Sequence, residues 1–414
     1  GEGHSFPTRR SSDLESGCGK SVTVRSMMRI VQAPGHIEDG EVRVFFDEEG
    51  QRKAINILDR SEAYMRSIRG NEISMIFQEA NASLNPVLTI GFQVGESFLF
   101  HRKARMIEQT NAELDEEIGS AMPPVSWWKR LQRALFARED VRLRRYQEKV
   151  AQIDRQIDEL EGAEDEASIS RKEALKRRRE RVGKSDLIVG LARRTPILKR
   201  YYRRLHRTIR GEVIQLLDSL GVPNPHNVVD RYPHELSGGM QQRIVIAIAL
   251  ACHPRVLIAD EPTSNLDVTI QAQIIDLIRR LKETSIASVI FITHDLGVVA
   301  EICDRVTVMY AGDTAETAEV KELFRNPLHP YTQALMNSVP KAEQTDELST
   351  IPGTVPNLVH PPQGCRFHPR CPHAMDICRR EKPPVTTYSE GHTVSCYLYP
   401  QPGDAGRETS SAEA

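Results

Sequence analysis

Short apolar runs alternate with stretches of helical period along most of the chain. Arg255 to Ala259 and Ser288 to Thr293 each read as a strand, and Ile270 to Glu283 between them repeats its apolar positions at helical spacing. That alternation predicts an α/β fold. The longest uninterrupted apolar run, Ile244 to Cys252, has nine residues, whereas a membrane span needs about 20. The chain is therefore not expected to cross a bilayer by itself.

A different pattern occupies the middle. Leu143, Tyr146, Val150, Ile153, Ile157 and Leu160 recur with steps of 3, 4, 3, 4 and 3, which keeps one apolar seam facing a partner helix. The return stretch after Ile169 has a poorer seam in Ala174, Leu175 and Val182. The spacing predicts a helical hairpin protruding from a globular body, with Gly162 near its tip and Pro123, Pro124 and Pro196 at its base. Charge is unevenly placed on it. Asp154 to Glu166 carries seven acids and one base, and Arg171 to Arg210 carries sixteen bases and three acids. Such blocks usually lie on solvated faces, although the basic half suits anionic lipid or nucleic acid as well.

Over the whole chain of 414 residues, 55 basic side chains nearly balance 57 acidic ones, for a net charge of -2. At 39% hydrophobic residues the chain is rich enough for at least one sizeable core, which excludes global disorder. Of seven cysteines, Cys18, Cys252 and Cys303 are scattered and the other four are gathered in the tail. This usage suits a reducing compartment and one local metal site better than a disulfide framework.

Candidate chemistry begins at Glu15-Ser16-Gly17-Cys18-Gly19-Lys20-Ser21, which matches the phosphate loop G-x-x-x-x-G-K-[ST] except that Leu14 stands at its first position. In such a loop the backbone N–H groups cradle a β-phosphate, Lys20 reaches β- and γ-oxygens, and the Ser21 hydroxyl ligates magnesium. No apolar strand precedes it. Ser5 to Leu14 is what TCT-TTC-CCT-ACA-CGA-CGC-TCT-TCC-GAT-CT encodes, a string resembling a sequencing adaptor. Residues 1–14 are therefore read as foreign to the fold, in place of a strand and a glycine.

Further along, Glu235-Leu236-Ser237-Gly238-Gly239-Met240-Gln241-Gln242-Arg243 opens a helix, an end that favours an anion. The strand Val256 to Ala259 is closed by Asp260-Glu261-Pro262-Thr263. Two adjacent carboxylates delivered by an apolar strand suit Mg-nucleotide chemistry, one in the metal shell and the next polarising water. The strand from Ser288 ends in His294-Asp295.

In this order the motifs resemble the ATP-binding subunit of an ABC transporter from Glu15 to about Pro340. The resemblance implies a P-loop NTPase core with a helical subdomain, in which two subunits meet head to tail around ATP and Mg2+. It implies that Ser16, Gly17, Cys18, Gly19, Lys20 and Ser21 hold phosphate, with Ser21 and Asp260 on Mg2+. Gln78, in Ile73-Ser74-Met75-Ile76-Phe77-Gln78, would be the Q-loop glutamine linking metal and water to a transmembrane partner. Glu261 would be the general base and His294 the switch histidine. Ser237, Gly238 and Gly239 would contact the opposing subunit's γ-phosphate, and Asp267 would lie in the D-loop. Ser83-Leu84-Asn85-Pro86 and Asn326-Pro327-Leu328-His329-Pro330-Tyr331-Thr332 narrow the likeness to oligopeptide and dipeptide importers, with nickel importers sharing the second string. The implied partners are a second ATPase subunit, two permease subunits and, indirectly, an extracytoplasmic solute-binding protein, with no nucleic acid. The implied location is the cytoplasmic face of the inner membrane. Two departures stand out: the family's first strands and its adenine-stacking aromatic are not found before the loop, and the charged insertion has no counterpart in ordinary members.

The expected organisation is thus a foreign segment at 1–14, partial ATP-binding core at 15–100, charged helical or coiled-coil insertion at 101–210, signature, Walker B and switch part at 211–325, importer-type extension at 326–400 and a disordered tail at 401–414. In the extension Cys365, Cys371, Cys378 and Cys396 have the spacing C-x5-C-x6-C-x17-C. Four soft ligands in a reducing compartment suit zinc or an iron-sulfur cluster, and irregular spacing leans toward the cluster. The subfamily resemblance implies 4Fe-4S; zinc and free buried thiols remain alternatives. His368, His373 and His392 are possible substitute ligands, with ordinary polar loop residues the favoured reading. A soluble ABC ATPase acting on nucleic acid or the ribosome is the competing function, with an inactive fragment as a third, and the importer-type extension argues against the former.

Overall fold

A computed structural model describes residues 19–48, 51–78, 80–119, 127–160, 165–183, 196–264, 266–284, 286, 288–338, 351–354, 356, 358 and 360–399. The chain divides into two units, one of residues 26–290 and one of residues 1–25 with 291–414.

The larger unit is built on a sheet of order β3-β4-β5, with β3 at Ile73–Ile76, β4 at Val256–Asp260 and β5 running from Ser288 to Ile292 across the division. β3 is buried on both faces, and so is β4 from Leu257 onward. This is why β4 reads as a continuous apolar run without alternation up to Asp260, whereas the buried Ser74 interrupts the run in β3. β3 and β4 are parallel, with Ile76 opposite Ala259. A separate antiparallel hairpin pairs β1, Arg43–Glu48, with β2, Gln51–Asn56.

Helices cover the sheet and extend from it. Helix Gly238–Leu250 buries Ile244, Val245, Ile246 and Ala247. Helix Pro196–Ser219 starts at a proline, where the missing N–H costs nothing. It buries Leu205, Ile209, Val213 and Leu217, one residue per turn on one stripe. Burying the four contributes on the order of 8 kcal/mol before chain entropy is charged against it. The stripe meets helix Ile90–His101 at Gly95, where an added Cβ would lie 3.1 Å from Ile209.

The charged insertion contains helices Trp127–Glu159 and Glu166–Gly183, which pack together. It does not stand free. Arg60, which precedes helix Glu62–Ile68, forms an ion pair with Asp158, and Arg179 Nε donates to Asp154 Oδ1 at 3.1 Å. Arg60 and Arg179 are both buried, and a buried guanidinium is tolerated only against a carboxylate. The Arg60–Asp158 pair folds the hairpin back on the body instead of leaving it to protrude, and the Arg179–Asp154 pair ties its two helices together. The heptad seam is buried only at Ile153 and Ile157, while Tyr146 is 37% exposed, so among the described residues no continuous coiled coil forms. Gly162, Pro123 and Pro124 lie outside those residues.

The smaller unit holds an antiparallel sheet of order β6-β7-β9-β8, from β6 at Arg305–Tyr310, β7 at Asp313–Glu319, β8 at Thr386–Ser389 and β9 at His392–Val394. Its core gathers Tyr310, Ala315, Ala318, Leu323, Tyr331 and Phe367. The three aromatic rings meet edge-on or tilted, with centroids 4.7 to 5.4 Å apart, the arrangement their quadrupoles favour. At the centre of β7 the fully buried Glu316 carboxylate accepts the Leu328 N–H at 2.8 Å, the His329 N–H at 2.9 Å and His392 Nε2–H at 2.8 Å. One side chain thus ties the Asn326 to Thr332 string to β9.

Candidate functional site

Parallel pairing of β3 with β4 places the ends of both strands at one edge of the sheet. Gln78 stands two residues past Ile76, and Glu261 two past Ala259. The strand register therefore brings together side chains 183 positions apart, and Gln78 Nε2 donates to Glu261 Oε2 at 2.8 Å. Asp260, at the end of β4, is fully buried. Glu261 has φ of +45°, a left-handed conformation that costs a non-glycine residue on the order of 1 kcal/mol and turns the chain sharply after the strand.

The turn after Glu261 is held on several sides. Gln242 Nε2, from helix Gly238–Leu250, donates to the Pro262 carbonyl at 2.6 Å, and Gln271 Nε2, from helix Val268–Thr284, donates to the Thr263 carbonyl at 3.0 Å. The Ser264 hydroxyl donates to the Gln78 carbonyl at 2.9 Å. Asp267 Oδ1 accepts the Ile270 N–H at 3.0 Å at the start of helix Val268–Thr284, in the manner of an N-cap.

Ser237 caps helix Gly238–Leu250, its hydroxyl accepting the Met240 N–H at 3.4 Å. A Cβ at Gly239 would fall 2.9 Å from Ile270 Cγ2, and one at Gly238 would lie 3.9 Å from Leu266 Cδ2. Glycine at 239 is thus required by the close approach of the Asp267 helix. Ser237, Gly238, Gly239, Asp267, Gln78, Asp260 and Glu261 all belong to the larger unit, where shared loops connect them. On the same unit Ser83, Asn85, Leu88, Gln93, Glu96 and Phe100 line an open groove of about 410 Å³.

Lys20 and Ser21 lie in the smaller unit and open helix Lys20–Met27. Gly19 precedes them with φ of +86°, and a Cβ there would sit 3.2 Å from Gly312 Cα. Ser16, Gly17 and Cys18 lie outside the described residues, as does the segment 1–14. His294 follows β5 in this unit, and the next residue, Asp295, caps helix Leu296–Ile302 by accepting the Gly297 and Val298 N–H groups.

Cys365, Cys371, Cys378 and Cys396 line one small cavity in the extension, with His329 and Phe367 beside them. Gly364 makes this possible. It has φ of +70°, and a Cβ there would lie 2.4 Å from the Cys378 carbonyl, which accepts the Cys365 N–H at 2.8 Å. Burial pushes the Cys365 and Cys371 thiols up, and burial with the three neighbouring sulfurs pushes Cys396 up to about 11. Among the described residues no three His, Cys, Asp or Glu side chains close to metal-ligating geometry. His392 is engaged by Glu316, and His368 Nδ1 lies 2.9 Å from the Cys365 carbonyl.

Sequence reasoning missed Gln242, Gln271, Ser264 and Glu316. The first three act through main-chain carbonyls, which leave no pattern in composition. Glu316 is one of three acids in β7, and only its burial sets it apart from Asp313 and Glu319.

Residues 15–264 match the ABC transporter family model. These elements are those of an ABC ATPase, a P-loop NTPase fold of mixed helices and strands. Residues 315–378 match the oligopeptide/dipeptide transporter C-terminal region. A putative peptide import ATP-binding protein of Brucella ovis is 37% identical over 92% of this chain and 85% of its own. The dipeptide transport ATP-binding protein DppD of Bacillus subtilis is 37% identical over 94% and 84%. The dimeric, ADP- and Pi-bound cassette MJ0796 is 18% identical over 74% of this chain and 82% of that one, with a TM-score of 0.38. The chain belongs to the ATP-binding subunits of the oligopeptide/dipeptide importer family, ATPases that energise peptide import. Among the described residues no helix is long and apolar enough to cross a membrane.

Proposed function

We propose that this chain binds ATP and Mg2+ at its phosphate loop and couples hydrolysis to peptide import with a second ATPase subunit and two membrane permeases. The observation that carries the reading is the Gln78–Glu261 hydrogen bond at the ends of two parallel strands, the place where open α/β sheets bind ligands. Glu261 accepts the proton of the attacking water, and Asp260, with Ser21, holds the metal shell. Gly19 and Lys20, after Ser16, Gly17 and Cys18, cradle phosphate. Gln78 links the Glu261 carboxylate to the neighbouring groove. His294 orients the γ-phosphate side of the site. Ser237, Gly238 and Gly239 face the nucleotide of the opposing subunit, and Asp267 anchors the adjacent helix. The groove at Asn85, Glu96 and Phe100 receives a permease segment, which seats the chain peripherally on the cytoplasmic face of the membrane. The solute-binding protein acts on the permeases and only indirectly here.

The four tail thiols line one cavity, and four soft donors suit a 4Fe-4S cluster by type, with zinc the alternative. Such a group would cross-link the 365–378 loop to the segment after β9. Burial raises the Cys365, Cys371 and Cys396 thiols, so loading would release protons.

Steady-state ATP hydrolysis by the purified chain tests the main proposal. Glu261→Gln is expected to retain ATP binding and lose turnover by about 100-fold or more. Hydrolysis at the parental rate in that variant refutes the assignment of the base.

A further inference from the structure

A ring of three hydrogen bonds joins Gln78, Glu261 and Ser264. The Gln78 amide donates to the Glu261 carboxylate at 2.8 Å, the Ser264 N–H donates to the Glu261 carbonyl at 3.1 Å, and the Ser264 hydroxyl donates back to the Gln78 carbonyl at 2.9 Å. Gln78 itself is exposed, so packing does not fix its main chain. Ser264, by contrast, is a fixed post. Its turn is pinned by Gln242 at Pro262 and by Gln271 at Thr263, and Thr263 is buried.

We infer that Ser264 is a positioning residue, whose hydroxyl anchors the Gln78 main chain to the Glu261 turn and so holds the glutamine amide on the carboxylate. This rests on the proposed ATPase site and assigns a role within it. When the strand β4 turn moves, Gln78 moves with it, because the anchor is made to its backbone and survives rotation of its side chain. The geometry also passes through Gln242 to the helix that Ser237 caps. A displacement at Ser237 to Gly239 therefore reaches Gln78 through a rigid turn, with Ser264 as the last link.

The test uses the full chain and two readouts. Ser264→Ala is expected to lower kcat for ATP hydrolysis about fivefold, with KM for ATP within about twofold, as for a lost anchor that misplaces a group acting in the transition state. Hydrogen exchange in the peptide spanning 73–78 is expected to quicken in the same variant. Ser264→Thr, which keeps the hydroxyl, is expected to restore both. Parental kcat and unchanged exchange in Ser264→Ala overturn the inference, as does a Ser264→Thr variant that behaves like alanine. If the parental chain does not hydrolyse ATP, the ATPase proposal fails, and the exchange comparison alone still decides the anchor.

Discussion

His329 begins helix Pro330–Asn337, and its Nδ1 accepts the Tyr331 N–H at 3.0 Å. That bond requires a neutral imidazole. Burial lowers the His329 pKa from 6.5 to about 4, with the Glu316 carboxylate pulling the other way. In the unfolded chain the ring titrates near its ordinary value. The contribution to stability is therefore complete above the unfolded pKa and drains as pH falls toward 4, because only the unfolded state takes up the proton. The whole difference is worth about 3 kcal/mol, and a fall from pH 7 to pH 5 removes about 2 kcal/mol of it. His329→Asn keeps an acceptor for the Tyr331 N–H and does not titrate. Urea unfolding at both pH values, followed by hydrogen exchange in peptides of β7 and of helix Pro330–Asn337, measures the difference. The variant is expected to lose about 2 kcal/mol less than the parent over that interval. Equal losses in the two proteins would refute the buried neutral imidazole, since the other titrating groups are common to both.

Two further outcomes concern the thiol cavity. Anaerobic preparation is expected to give protein with bound iron and sulfide and broad visible absorbance; zinc alone, by elemental analysis, rejects the cluster. Gly364→Ala is expected to destabilise the extension by about 2 kcal/mol and to reduce metal content, because φ of +70° and the Cys378 carbonyl 2.4 Å from the new Cβ both oppose it; unchanged metal content and urea midpoint reject that account.

β4 was legible because a strand buried on both faces must be apolar throughout, and the helix from Val268 because its apolar positions share one stripe. The meeting of Gln78 with Glu261 was legible only through family resemblance, since it depends on which strands neighbour each other and in what register. The hairpin seam could be read from its steps. Its closure onto Arg60 could not, because Asp158 belongs to an acidic run whose ordinary place is solvent. Asp267 shows the same limit from the other side: its residue type suits both an N-cap and a site loop, and the structure displays the capping bond. The four clustered cysteines pointed to a local metal site, and the structure shows them lining one cavity, whereas Gly364, which lets that cavity close, is marked only by its positive φ.

β9 is three residues long, yet it lies between β7 and β8 and carries His392 to the Glu316 carboxylate. A chain cut anywhere before His392 would bare the edge of β7 as a template for intermolecular pairing and leave a buried carboxylate one partner short. Loss of transport after such a deletion would therefore report an aggregating subunit as readily as a missing tail activity. Point substitutions around the thiols are the cleaner way to dissect the extension genetically.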